Sequence, residues 1–150
     1  MAVSAVIHAK DILSIAPVIQ KLASENWEET GFGYDLDINF DQYQALSDRE
    51  FVRGYLATVD DEPIGYAIAI YAPSEWNKNV TICSVNVLYI KPEYRGSFVA
   101  GKMLLTIEHD AKKRNAQRLD FMVRAGDQPF GLENRGFCAL GTTYGKTLKE

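Results

Sequence analysis

The chain has 150 residues, 47% hydrophobic and 24% charged, with a formal net charge of -4. That is enough for one domain with a real core, expected to span 1–150, and too acidic for non-specific nucleic-acid binding to be its main task. No apolar run approaches the roughly 18 to 20 residues that cross a bilayer, and the start lacks a basic region followed by an apolar core, so a cytoplasmic location is expected. Cys83 and Cys138 fall in strand-like runs without the paired spacing of a zinc site and read as small buried thiols of a reducing compartment, not as a disulfide. His8 and His109 are the two histidines, too few for a histidine metal site, so no metal is expected.

Residues 2–9 alternate weakly and suit a first strand. Ser14 can cap a helix that carries Pro17 in its opening turn, with Ile12, Ile15, Ala16, Ile19, Leu22 and Ala23 on one face. Gly31 and Gly33 end that helix, 34–40 reads as a loop, and a brief helix follows over 41–46. Residues 51–59 and 63–71 are β-branched and aromatic runs around Asp60-Asp61-Glu62, an antiparallel hairpin. After a polar loop holding Trp76, residues 81–90 form a nearly continuous apolar strand of the kind found inside a sheet. Residues 98–114 give the strongest helix, with Val99, Ala100, Met103, Leu104, Ile107 and Ala111 inward. A strand over 118–123, a short helical piece over 128–134 and two closing strands within 137–148 around Gly141 complete the pattern. A helix between the strands 81–90 and 118–123 returns the chain in parallel. The fold class is therefore α/β: a single-domain, mostly antiparallel mixed sheet with one parallel pair, flanked by helices.

Charge is segregated along the chain. Between Glu25 and Glu50 eight acids (Glu25, Glu28, Glu29, Asp35, Asp37, Asp41, Asp48, Glu50) face one base, Arg49, whereas from Lys91 to Arg118 seven bases outnumber three acids. Each run alone also describes a solvated face; together they suit an acidic rim for a cationic acceptor and a basic rim for an anionic cofactor.

At the end of the apolar strand, Leu88-Tyr89-Ile90-Lys91-Pro92-Glu93-Tyr94-Arg95-Gly96 breaks into a small-residue turn that restarts as a helix through Ser97, Phe98, Val99, Ala100, Gly101 and Lys102. The first N–H groups of a helix lack partners and sit at the positive end of its dipole, which suits a diphosphate. The glycine spacing alone also fits an ordinary strand-to-helix loop. The whole run resembles the cofactor motif of the GNAT (GCN5-related) N-acetyltransferases: Arg or Gln, two variable residues, Gly, one variable residue, then Gly or Ala. Arg95, Gly96, Ser97, Phe98, Val99 and Ala100 occupy these positions, with Phe98 where the family usually has glycine.

The resemblance implies a splayed parallel strand pair and acetyl-coenzyme A or coenzyme A as cofactor. The pantetheine arm would bond to the backbone of Leu88, Tyr89 and Ile90, and the diphosphate would meet the amides of Arg95, Gly96, Ser97, Phe98, Val99, Ala100, Gly101 and Lys102. It implies transfer of an acetyl group to a primary amine of a small molecule or a protein lysine. Where many members carry a glutamate base on the central strand, this chain has Asn86, which can orient a water but cannot take its proton; Glu28, Glu29, Asp35 and Asp37 are the alternative proton acceptors. In the family pattern Leu-Tyr-Glu-x-Leu-Gly-Phe the tyrosine that protonates the departing thiolate is replaced by Leu132, its upstream asparagine by Ala125, and Tyr144 is the nearest substitute. These replacements keep a second reading open, a catalytically weak or silent member that binds coenzyme A or a protein partner. A homodimer is left open. The closing segment 136–144, and 72–77 ahead of the central strand, resemble acetyltransferases carried by bacteriophages and their hosts.

Overall fold

A computed structural model describes residues 4–30, 33–123 and 131–148. Among these residues five strands, β1 (Val6–Lys10), β2 (Val52–Val59), β3 (Glu62–Pro73), β4 (Thr81–Ile90) and β5 (Arg118–Phe121), form one sheet in the order β1-β2-β3-β4-β5. All neighbours are antiparallel except β4 and β5. Among the described residues three α-helices flank the sheet: α1 (Ala16–Thr30), α2 (Phe40–Asp48) and α3 (Val99–Lys113). This is the mixed α/β sheet that the hydrophobic patterns predict, with α3 as the crossover that makes β4 and β5 parallel.

The β2–β3 hairpin closes on Asp60 and Asp61, both left-handed at φ 50° and 64°, with Val59 opposite Glu62. Two left-handed residues in a two-residue loop match the twist of the strands, and aspartate tolerates that conformation. The sheet separates two apolar layers. Ala67, Ala69, Cys83 and Val85 pack with Val99, Met103, Ile107 and Ala111 of α3. Val52, Leu56, Tyr66, Ile68 and Tyr89 pack with Ile19, Leu22 and Ala23 of α1, and with Tyr43 and Leu46 of α2.

β4 changes frame in its middle. Val85 lies opposite Ala69 and Val87 opposite Ile68, so Asn86 is an extra residue, a β-bulge. Before it, Cys83 and Val85 face α3. After it, Val87 and Tyr89 face α1, and Leu88 and Ile90 face α3. Without the extra residue, strand alternation would send Tyr89 to the α3 side.

Several expectations are corrected. The N-terminal cap is Asp11, whose carboxylate accepts from the Leu13 amide at 3.1 Å and opens a 3₁₀ turn (Ile12–Ile15) ahead of α1. Ser14 instead donates its hydroxyl to the Asp11 carbonyl at 2.6 Å, which makes it part of the turn and not its cap. No strand forms within 137–148: with Leu140 68%, Tyr144 91% and Leu148 88% exposed, nothing buries a face of that segment, and a strand needs a partner for its backbone. Cys138 is therefore exposed and outside any strand, while Cys83 is buried as expected. β5 stops at Phe121, short of Val123. The expected start of the first strand at Ala2, and Gly31, Ala125 and the helical piece before Gly131, lie outside the described residues.

Candidate active site

The end of β4 exposes backbone on its β5 side. The Lys91 amide donates to the Ile64 carbonyl at 2.8 Å, and antiparallel ladders alternate bonded with non-bonded pairs, so Tyr89 bonds toward β3 while Leu88 and Ile90 turn their main-chain groups the other way. On that other side β5 keeps pace only to Val85, which lies opposite Phe121 and accepts from the Met122 amide at 3.0 Å. The parallel pair thus parts at the bulge, and beyond it the outward groups of Leu88 and the amide of Ile90 have no ladder partner among the described residues. Of the three residues expected to meet the cofactor through backbone, Leu88 and Ile90 turn main-chain groups to that side, the Ile90 carbonyl being taken by Arg95, while Tyr89 is committed to β3.

The chain then turns over Pro92–Tyr94, a 3₁₀ turn, and enters α3. Gly96 has φ 81°, Ser97 donates its hydroxyl to the Tyr94 carbonyl, and Phe98, 89% exposed, sits at the helix entry with φ 66°. Phe98 adopts the left-handed geometry for which glycine is the usual choice. No side chain caps α3; its first bond runs from the Lys102 amide to the Phe98 carbonyl at 3.0 Å. The amides of Val99, Ala100 and Gly101 precede that bond and have no intrahelical acceptor, so three donors open outward at the positive end of a 15-residue helix.

The charged side chains around this turn are already paired. Arg95 donates from Nε to the Ile90 carbonyl at 2.8 Å and from Nη2 to both oxygens of Glu29 at 2.9 and 3.0 Å. Its guanidinium also lies 5.5 Å from the centre of the Tyr89 ring. Lys91 approaches Glu25 at 4.0 Å, and Lys102 donates to the Ala5 carbonyl. On the α1 side the Tyr89 hydroxyl donates to Glu25 at 3.3 Å, beside the Tyr66 ring at 6.3 Å. Burial, and then the Glu25 and Glu29 carboxylates, push Tyr89 up to about 12; burial does the same for Tyr66. Both hydroxyls stay protonated at neutral pH.

The proposed proton carriers are not brought together. Asn86 is exposed at the bulge where the strands part, a common place for a site residue. Glu28 is exposed and makes no bond to β4, whereas Glu25 and Glu29, one turn apart on α1, reach the end of β4. Glu29 was among the acids expected to take the proton, but its pairing with Arg95, and that of Glu25 with Tyr89, was not foreseen, because helical spacing ranks acids by face only once the opposing strand is known. Tyr144 lies on the exposed tail, which touches the α1–α2 connection where a Cβ on Gly33 would stand 3.3 Å from Thr147 Oγ1. That connection is pinned by Trp27, whose indole N–H donates to the Tyr34 carbonyl at 3.2 Å, and it leads to a cleft of about 400 Å³ lined by Asp37, Ile38, Asn39, Phe40 and Asp41. At the far end of α3, Tyr55 donates to Asp110 and meets the Tyr71 hydroxyl at 2.7 Å, a buried network that braces the helix away from the site.

Comparison with known proteins places this geometry. The sequence pattern of the Acetyltransferase (GNAT) family matches residues 16–130. The chain belongs to that family. No curated protein matches the chain by sequence. Among solved structures, an aminoglycoside acetyltransferase from an uncultured soil metagenomic sample, in complex with trehalose, aligns with TM-score 0.74 at 10% identity over 97% of each chain. A predicted acetyltransferase with acetyl-CoA from Clostridium acetobutylicum aligns at 0.73 and 17% identity, again over 97% of each. The ribosomal-protein-alanine N-acetyltransferase of Brucella melitensis aligns at 0.68 and 14%, over 98% of this chain and 99% of that one. At these identities the likeness is one of fold. No helix among the described residues is long and apolar enough to cross a membrane.

Proposed function

We propose that this GNAT chain, acting as one domain over 1–150, is an N-acetyltransferase that moves an acetyl group from acetyl-coenzyme A to a primary amine. The observation that carries the reading is the edge of β4 that no described residue pairs, running directly into an uncapped helix start. The residues fit the cofactor: the outward groups of Leu88 and the Ile90 amide suit an amide-bearing pantetheine arm, and the amides of Val99, Ala100 and Gly101 suit a diphosphate. Gly96, Ser97 and Phe98 shape the turn, and Arg95, tied to Glu29, fixes its entry. When bound, acetyl-coenzyme A supplies an activated thioester carbonyl.

The acceptor we infer is cationic, because Glu28, Asp35, Asp37 and Asp41 are exposed along α1, the loop and α2, and two of them flank the cleft there. An aminoglycoside acetyltransferase and a ribosomal-protein-alanine N-acetyltransferase both share the fold, so the residues support either a small polyamine-like molecule or a protein amine. An alkylammonium must lose a proton before it can attack, and Asn86 can hold a water for that proton while a carboxylate of α1 receives it. The free cysteines fit a cytoplasmic setting.

Leu132, buried where a tyrosine acid is common, and Tyr144, 91% exposed, favour a second reading in which the protein binds coenzyme A without turning it over. One experiment separates them: calorimetric binding of coenzyme A, alongside thiol release from acetyl-coenzyme A across a panel of amines at two salt concentrations. Binding with release that weakens as salt rises supports the transferase with a cationic acceptor. Binding without release supports the silent reading. Absence of binding overturns both.

A further inference from the structure

We propose that Arg135, outside the strand–turn–helix motif, is the side chain that grips the cofactor's diphosphate; the proposal rests on the coenzyme A reading above. Every cation of the motif itself is occupied: Arg95 by Glu29 and the Ile90 carbonyl, Lys91 by Glu25, Lys102 by the Ala5 carbonyl. Arg135 is not. No hydrogen bond or ion pair engages its guanidinium among the described residues.

Its position is built by the fold. Leu132, 6% exposed, anchors a 3₁₀ turn (Glu133–Arg135) whose closing amides, from Arg135 at 2.9 Å and Phe137 at 3.1 Å, both donate to the Leu132 carbonyl. Gly136 then turns the chain away with φ 90°. The result lays Arg135 on the first turn of α3, so close that a Cβ on Gly101 would stand 2.6 Å from its Nη2 and 3.6 Å from its Cζ. A side chain at 101 would push the guanidinium off this spot.

This is a poor place for a lone cation. A helix start is the positive end of the dipole, and the amides of Val99, Ala100 and Gly101 already point there without acceptors. Arg135 is solvent-exposed, so water can serve it and the three donors in the free chain, whereas an anion would draw the guanidinium and the donors into one contact. A diphosphate does so in shape as well, since the fork of an arginine takes two phosphoryl oxygens while the backbone takes others. Arg135 occupies the leucine position of the family pattern, so this grip belongs to the present chain and is invisible to the motif.

The test is calorimetry of wild type, Arg135→Ala and Arg135→Lys with coenzyme A, with dephospho-coenzyme A, which keeps the diphosphate but lacks the 3′-phosphate, and with pantetheine, which has neither. Arg135→Ala should weaken the first two about tenfold and leave pantetheine unchanged, with Arg135→Lys in between. Wild-type binding that Arg135→Ala leaves intact overturns this assignment alone. A loss seen with coenzyme A but not with dephospho-coenzyme A moves the contact to the 3′-phosphate and overturns the diphosphate. A loss shared by pantetheine makes the role structural. Wild type that binds none of the three overturns the cofactor reading and this assignment with it.

Discussion

Replacing Phe98 by glycine should stabilise the protein, although it deletes a large apolar side chain. The residue is 89% exposed, so almost no burial is lost, and its side chain makes no capping bond. Its φ of 66° costs a non-glycine residue about 1–2 kcal/mol, which glycine avoids. Against that stands the greater freedom of glycine in the unfolded chain, about 0.5–1 kcal/mol. The net gain is about 0.5–1 kcal/mol. For 150 residues the unfolding entropy near the midpoint is about 0.3 kcal/mol/K, so Tm should rise by about 2–3 °C. Thermal unfolding followed by circular dichroism reads this directly, with Phe98→Ala as control. Alanine keeps the Cβ and the strain and should leave Tm within about a degree of wild type. A fall of several degrees in Phe98→Gly, or an equal gain in Phe98→Ala, would refute the backbone argument.

Tyr55→Phe should cost about 1–3 kcal/mol in urea denaturation, because it strips Asp110 and the Tyr71 hydroxyl of their shared partner while the buried Arg53 Nε, 4.0 Å from Asp110, has no hydrogen bond to compensate; a neutral result would show that water reaches the network. Burial raises Cys83 to about 11 and Tyr66 and Tyr89 to about 12, above their ordinary values, so the folded state holds these protons longer than the unfolded one. Their contribution to stability is whole below pH 9 and should fall between about pH 9 and 12, with Cys83→Ala flattening the first part of the decline; a decline that Cys83→Ala leaves unaltered would remove the thiol from the account. The acetylation rate of wild type should climb with pH toward the amine's own pKa, and Asn86→Glu should raise the rate at pH 7 several-fold; a wild-type plateau governed by a group near pH 7 would point to another base.

The parts of the fold legible in the sequence are those whose pattern is local. The apolar run 81–90 gives the bounds of β4, and the Asp60-Asp61 pair marks the hairpin, because both depend on neighbours along the chain. Asp11 was passed over for Ser14 since two cap-forming residues stand three apart, and only the 3₁₀ turn between them decides which accepts. Aromatic and β-branched residues in 137–148 read as strands, but propensity cannot supply a partner edge, and the glycines and threonines there bury no face. At the site, the turn from Ile90 to Lys102 was visible as a motif. What escaped were contacts between distant segments: Glu25 with Tyr89, Glu29 with Arg95, and Arg135 on Gly101.

The bulge at Asn86 divides one strand into two reading frames. Upstream, odd-numbered positions belong to the α3 core; downstream, odd-numbered positions hold Tyr89 beneath α1 while even-numbered ones open backbone toward the parted edge. The side chain at 86 is therefore free to vary, whereas the count of residues is not. A point change there alters chemistry within an intact scaffold, but removal of a single residue would exchange every assignment from 87 to 90, drive the tyrosine into the α3 core and erase the edge on which the site depends.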